Sequence, residues 1–248
     1  MFLTDDEIKV RRSAAATFVE INANQTRIAK AHIDEIGYSI LGKTDSRYLA
    51  AEVFLRLNRR VDGPLQNLLR TAFHKEGHIP LTTVTTALAK LTNLAQLSRL
   101  SKSRRGRGAN RWVGLKNLLG LTALDLSNHD EFVKKIEIAL DRYYKAIRKR
   151  FVKDWESIPD AENTTLGFAV VQAALIALFD HCINLGLDWS ALDVRLDILK
   201  NHLEKSAGAV AAKVCVFRPT DPNLPSQKKK VKENLTFLIT HTSASGDS

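Results

Sequence analysis

The sequence has little cysteine: Cys182 and Cys215 are its only two. Two thiols cannot build a disulfide framework or, by themselves, a zinc site. Both stand among apolar neighbours and are expected as buried free thiols in a reducing compartment. Long apolar runs are also missing. The longest, Leu166 to Phe179, is interrupted by Gln172 and stopped by Asp180 and His181. It falls short of the ~20 residues that a bilayer span needs. It reads as a buried core helix with Val171, Leu175 and Phe179 inside, and no membrane partner is expected. Asp5, Asp6 and Glu7 stand where a signal peptide carries its basic residues, so a cytoplasmic location is expected.

Several catalytic patterns are absent as well. There is no Walker loop, no GxSxG elbow and no complete GxGxxG; Gly106-Arg-Gly108 is a fragment of the last. His74 and His78 are four apart, but Glu76 is displaced from the zinc-protease position. Gly77 and Pro80 favour a surface turn there, and no metal is expected. Asp180, His181 and Cys182 hold an acid, a base and a thiol, yet adjacent helix positions do not face one another. No catalytic residue is assigned.

The most telling absence is of negative charge. From His78 through Leu124 there is no Asp or Glu, while eight cations occur. Residues 1–77 hold twelve cations and ten anions, and residues 125–248 hold seventeen of each. One 47-residue stretch thus carries eight of the ten excess charges. Its centre, SKSRRGRGANRW, is rich in Ser, Gly and Arg and reads as a mobile loop. A clustered basic segment suits a polyanion, because neutralising phosphates releases counterions. The candidate nucleic-acid contacts are Arg99, Lys102, Arg104, Arg105, Arg107, Arg111 and Lys116. Trp112 is a stacking candidate or a core anchor. A solvated or protein-binding loop is the other reading.

What remains is globular in proportion, with 44% hydrophobic and 26% charged residues, enough to build a core without staples. Apolar spacing and cap residues predict mainly α structure. A helix is expected from about Asp5 to Val19 and another from about Ala29 to Leu41. A third, capped by Asp45 or Ser46, carries Leu49, Val53, Phe54 and Leu57 on one face. Asp62-Gly-Pro64 is a turn before a short helix with Leu65, Leu68, Leu69 and Phe73. Thr82 or Thr83 caps the next, with Val84, Leu88, Leu91 and Ala95 inward. A long helix follows Asn128, with Phe132, Ile136, Leu140, Tyr143, Ile147 and Phe151 at helical spacing, ended by Pro159. The apolar helix spans about Thr164 to Leu185, and a last one, capped by Asp188 or Ser190, runs to about Lys205. KVCVF and LTFLIT read as short strands. The expected organisation is an amide-rich turn region over 1–45, a helical domain over 46–205 with its basic loop at about 99–116, and a strand-containing tail over 206–248.

Asn22, Asn24, Gln25 and Thr26 put four polar side chains in five positions. Amides both donate and accept, so this cluster either holds a sharp turn or grips a phosphate or base. The segment FVEINANQTRIAK resembles the DGQHR-domain family, DndB-like proteins associated with DNA phosphorothioation. Phe18, Ile21, Asn22, Asn24, Gln25 and Lys30 match its pattern F-x-x-I-N-x-N-Q-x-x-x-x-K. GPLQNLLRTAF, HIPLTTVTTALAKL and TTLGFAVVQAALIAL look like that family's helical second half. The Asp-Gly-Gln-His-Arg motif itself is absent, so the chain resembles a second half without its ParB-like α+β half. The resemblance implies a helical bundle-like domain with two or three short strands. It also implies an accessory or regulatory DNA-binding role beside prokaryotic DNA modification and defence, including transcription regulation. A partner protein supplying the missing half would go with it. The alternative it implies is a nucleotide-hydrolysing subunit completed by such a partner, using Asn22, Asn24, Gln25 and Lys30 as ligand contacts. No cofactor is expected beyond a nucleotide in that alternative.

Overall fold

The computed structural model describes residues 45–71, 75–103, 105–159, 164 and 166–207, together with Ser13 and Thr17. The described residues are mainly helical, with eight helices and one two-stranded parallel sheet. Ser13 and Thr17 are helical. The predicted helix at residues 29–41, the strands KVCVF and LTFLIT, Cys215, and Asn22, Asn24, Gln25, Thr26 and Lys30 lie outside the described residues.

Helix α1 covers Ser46–Arg59. Asp45 caps it, its carboxylate accepting the Arg47 N–H at 2.8 Å. Leu49, Val53, Phe54 and Leu57 form its buried face, as their spacing predicts. The chain then turns through Asp62-Gly-Pro64. The short helix expected after this turn is instead strand β1, Leu69–Arg70, paired in parallel with β2, Ile79–Pro80. Asn58 decides this, because its side-chain oxygen accepts the Leu69 N–H at 2.9 Å and pulls the backbone out of helical register. Gly77 lets the strands close: a Cβ there would stand 2.2 Å from the Leu69 carbonyl carbon and oxygen.

Helix α2, Leu81–Leu88, starts directly from Pro80. Neither Thr82 nor Thr83 caps it, since both lie inside its first turn. Pro80 itself holds the N-cap position in an extended conformation, and no side chain caps the helix. Val84, Leu88 and Leu91 are buried, but Ala95 is exposed. The helix stops at Leu88, and α3, Leu94–Leu100, begins after Asn93, whose side chain accepts the Gln96 N–H at 3.0 Å. A new cap resets the helical face, which turns Ala95 outward.

Helix α4, Gly106–Leu119, replaces the expected loop. Gly106, at φ +73°, turns the chain into it, and Gly120, at φ +65°, ends it. Of its two interior glycines, Gly114 serves contact rather than freedom. A Cβ on Gly114 would lie 2.1 Å from the Ile183 carbonyl oxygen, so the two helix backbones meet there. Packing of this kind overrides weak helix propensity.

A 3-10 turn, Asp125–Ser127, leads to α5, His129–Arg150, capped by Asn128, which accepts the Glu131 N–H at 3.2 Å. Phe132, Ile136, Leu140, Tyr143, Ile147 and Phe151 are buried. Helix α5 breaks at Phe151 rather than Pro159, and the short α6, Val152–Glu156, intervenes. The apolar helix α7 covers Ala169–Asn184, starting five residues later than expected because Phe168 is extended. Asp188 caps α8, Trp189–Ala207, accepting the Ala191 N–H at 2.9 Å.

Helix α7 is apolar on nearly every side and packs against both α2 and α4. Helix α1 packs on α2 and α5, and α5 also meets α8. One continuous hydrophobic cluster joins all of these elements. Gln172, the polar break in the apolar run, is fully buried and satisfied. Its Nε2 donates to the Leu166 carbonyl at 2.7 Å, and its Oε1 accepts the Tyr144 hydroxyl at 3.2 Å. Among the described residues no helix is long and apolar enough to cross a membrane.

Candidate nucleic-acid interface

The acid-free segment folds as α2, α3, a tight turn and α4. The turn closes where the Lys102 and Ser103 N–H groups donate to the Arg99 and Leu100 carbonyls at 3.2 and 2.9 Å. Helix α3 packs on α4, so cations spaced along the sequence share one region. Arg99 is in the last turn of α3, Lys102 and Arg105 lie in the turn, Arg107 is in the first turn of α4, and Lys116 is in its third. All five are exposed, as is Lys90 after α2. None of the six forms an ion pair among the described residues. Arg104 lies outside the described residues.

Arg111 is placed differently. It is buried, and its Nη1 lies 2.8 Å from Asp180 Oδ1 on α7. The same guanidinium donates to the Asn184 side-chain oxygen. Its charge is therefore spent inside the fold, four residues along α4 from exposed Arg107. Trp112 is partly buried against the core, as an anchor rather than a free stacking platform. Elsewhere some exposed cations, such as Arg59, Lys134 and Arg148, likewise form no ion pair among the described residues, while others are paired. Arg150 lies 3.1 Å from Asp193 and 2.8 Å from Asp197 on α8, and Lys135 lies 2.8 Å from Asp125. Hydrogen bonds from Arg150 hold the Asp197 carboxyl below its ordinary range.

The outer face of α4 was not legible as a site from composition. Gly106, Asn110, Val113, Lys116 and Asn117 are exposed on it. Asn110, Val113 and Asn117, spaced i, i+3 and i+7, flank the turn between α7 and α8: Asn117 Nδ2 donates to the Gly186 carbonyl at 3.2 Å, and a Cβ on Gly186 would lie 3.1 Å from the Asn110 carbonyl oxygen and 3.7 Å from Val113 Cγ1.

The other clusters do different work. His181 and Cys182 follow Asp180 near the end of α7. Asp180 is engaged by Arg111, and Cys182 is buried with burial pushing its thiol up to about 11, the opposite of what a thiolate nucleophile needs. Burial, followed by the nearby Arg195 charge, holds His181 below its ordinary range. His78 is exposed beside the turn at Lys75 and Glu76. A cluster the sequence gave no sign of joins α1 to the start of α5. His129 Nε2 lies 2.9 Å from Glu52 Oε2, with Asp130 close by. These donor types suit a divalent cation, but the Arg56 guanidinium already bonds Glu52 and approaches Asp130 at 3.9 Å. The arrangement is an ion-pair clamp between two helices.

Comparison with known proteins returns no matching family model, no matching curated protein and no matching solved structure.

Proposed function

We propose that this chain binds duplex DNA as an accessory or regulatory factor, with Arg99, Lys102, Arg105, Arg107 and Lys116 holding phosphates. The supporting observation is that these five exposed cations on α3, its turn and α4 have no carboxylate partner among the described residues, within a segment free of Asp and Glu from His78 to Leu124. Unpaired surface cations keep their counterion atmosphere, and releasing it on contact with phosphates drives association. The setting we propose, beside prokaryotic DNA modification or defence, rests on the resemblance of Phe18 to Lys30 to DGQHR-domain proteins. A partner chain carrying the Asp-Gly-Gln-His-Arg half belongs to the same proposal.

The test is a titration of the full chain into a labelled mixed-sequence duplex at about 50 mM salt, where contacts of this kind are strong. Saturable binding that weakens steeply with added salt is expected. Folded protein that shows no binding at that salt would remove the DNA reading in favour of a protein-binding surface.

A further inference from the structure

We infer that the outer stripe of α5 is a second phosphate-holding face, which takes up a duplex separate from the one on α3 and α4. This rests on the DNA-binding reading above and adds to it the joining of two DNA segments by one chain.

Charge balances over residues 125–248, but along α5 it is sorted. From Lys134 to Arg150 there are seven cations and two acids, Glu137 and Asp141. Both acids are answered inside the fold. Arg60 on α1 lies 3.5 Å from Glu137 and 3.7 Å from Asp141, and Lys145 lies 2.8 Å from Asp141. Lys134, Arg148 and Lys149 are exposed and form no ion pair among the described residues. Asp197, whose carboxyl feels the Lys149 charge, is bonded by Arg150. Arg142, also exposed, rests 4.2 Å from the centre of the Trp189 ring, which orients the guanidinium without cancelling its charge.

Helical spacing puts these groups on one line. At 3.6 residues per turn, Lys134, Ile138, Arg142, Lys145, Arg148 and Lys149 fall within a sector of about 120°. Tyr143, on the opposite side of α5, donates to the Leu175 carbonyl on α7 at 2.7 Å, so the stripe points away from the core. Arg148 and Lys149 complement the helix C-terminus, but Lys134, Arg142 and Lys145 lie too far from it for that effect to explain the stripe. From Lys134 to Arg148 the stripe runs about 21 Å, the length of about six base steps at ~3.4 Å each. Ile138, 52% exposed, is its one apolar side chain. A helix lying in a membrane interface buries a broad apolar face, and α5 has committed that face to the core. A duplex therefore suits the stripe better than an anionic membrane. The stripe is bordered by α1 through Arg60 and by α8 through Trp189, whereas the α3 and α4 cations are bordered by α7 through Arg111. The two cationic fields thus stand on different elements. With fewer unpaired cations, the α5 stripe fills second.

Beads carrying a short mixed-sequence duplex, loaded with the full chain at about 50 mM salt, are offered a second, labelled duplex. Capture of the label is expected. Raising the salt to about 200 mM should weaken that capture roughly 40-fold, from three phosphates at about −0.9 each. The combined variant Lys134→Gln, Arg148→Gln and Lys149→Gln should lose the capture, with loading on the beads and melting temperature unchanged. No capture by the loaded wild-type chain, or equal capture by the variant, overturns the second face while DNA binding stands. Loading that the variant itself loses shows one shared surface and also overturns it. Recruitment to phosphatidylserine vesicles that the variant loses, without duplex capture, assigns the stripe to a membrane instead. Absence of any loading on the beads overturns both readings.

Discussion

Arg111 on α4 and Asp180 on α7 are joined across the helix pair, Nη1 to Oδ1 at 2.8 Å, with the arginine side chain 10% exposed. An arginine from the most basic stretch of the sequence thus acts as an internal clamp. Removing one partner of a buried pair leaves the other charge uncompensated. Arg111→Ala is expected to destabilise by roughly 2–4 kcal/mol in urea unfolding, since Asp180 retains some access to water. Loss of DNA affinity with full stability would instead make Arg111 a contact residue.

Gly114 and Gly106 give opposite reasons for being glycine. A Cβ on Gly114 meets the Ile183 carbonyl oxygen at 2.1 Å, whereas one on Gly106 meets nothing within 4 Å but must hold φ +73°. Gly114→Ala is expected to cost about 3 kcal/mol or more, because two helix backbones must separate. Gly106→Ala should cost only about 1–2 kcal/mol of conformational strain. Calorimetric melting of both variants checks the order, and equal costs would contradict the close approach.

Gln172 and Leu175 test the core helix from its polar and apolar sides. Leu175 is 4% exposed, and Leu175→Ala is expected to lose roughly 2–5 kcal/mol. Gln172→Leu keeps the volume but strands the Leu166 carbonyl and the Tyr144 hydroxyl, at a cost of about 1–3 kcal/mol for each group left unsatisfied. A neutral Gln172→Leu would mean that those groups find other partners.

The salt dependence of DNA binding counts phosphates. Five contacts predict a slope of log K against log salt near −4.5, from about −0.9 per phosphate. Changing Lys102, Arg105 and Arg107 together to Ala should flatten it by about 2.7 units, similarly for unrelated sequences, because phosphate contacts do not read bases. Arg→Lys at the arginine sites should do much less, since a point charge suffices there. An unchanged slope would move the contacts elsewhere.

Asp125 gives the protein an acid-sensitive group. Burial works to raise its carboxyl pKa, but hydrogen bonds from Lys135 and from the Thr122 hydroxyl and N–H outweigh this and hold it below the ordinary 3.8. A folded-state value below the unfolded one contributes stability above pH ~3.8, and this is lost as pH falls through the folded-state value. Asp125→Asn should therefore be less stable than wild type at about pH 6, with the gap narrowing below about pH 4. An equal gap at both ends would show that the carboxylate charge contributes nothing.

The caps at Asp45, Asn128 and Asp188 and the apolar faces of α1, α5 and α7 were legible in the sequence. These are local effects: a side chain bonds a backbone N–H two or three residues on, and periodicity marks the face that leaves water. The break at Phe151 and the strand at Leu69 were not legible in this way. The strand depends on Asn58, eleven residues away, capturing the Leu69 N–H. Of the candidate interface, the charge excess and its position at Arg99 to Lys116 were plain from residue types alone.

Sequence by itself determined that this chain is mainly helical, that Leu166 to Phe179 is core, and that its excess positive charge lies in one segment. Those properties are sums over residue types and spacings. Tertiary structure decided which cations face water and which face protein. Arg107 and Arg111 are the same residue type one helical turn apart, and only the packing of α4 on α7, set by Gly114 against Ile183, turns Arg111 inward to Asp180 and leaves Arg107, Asn110 and Val113 outside.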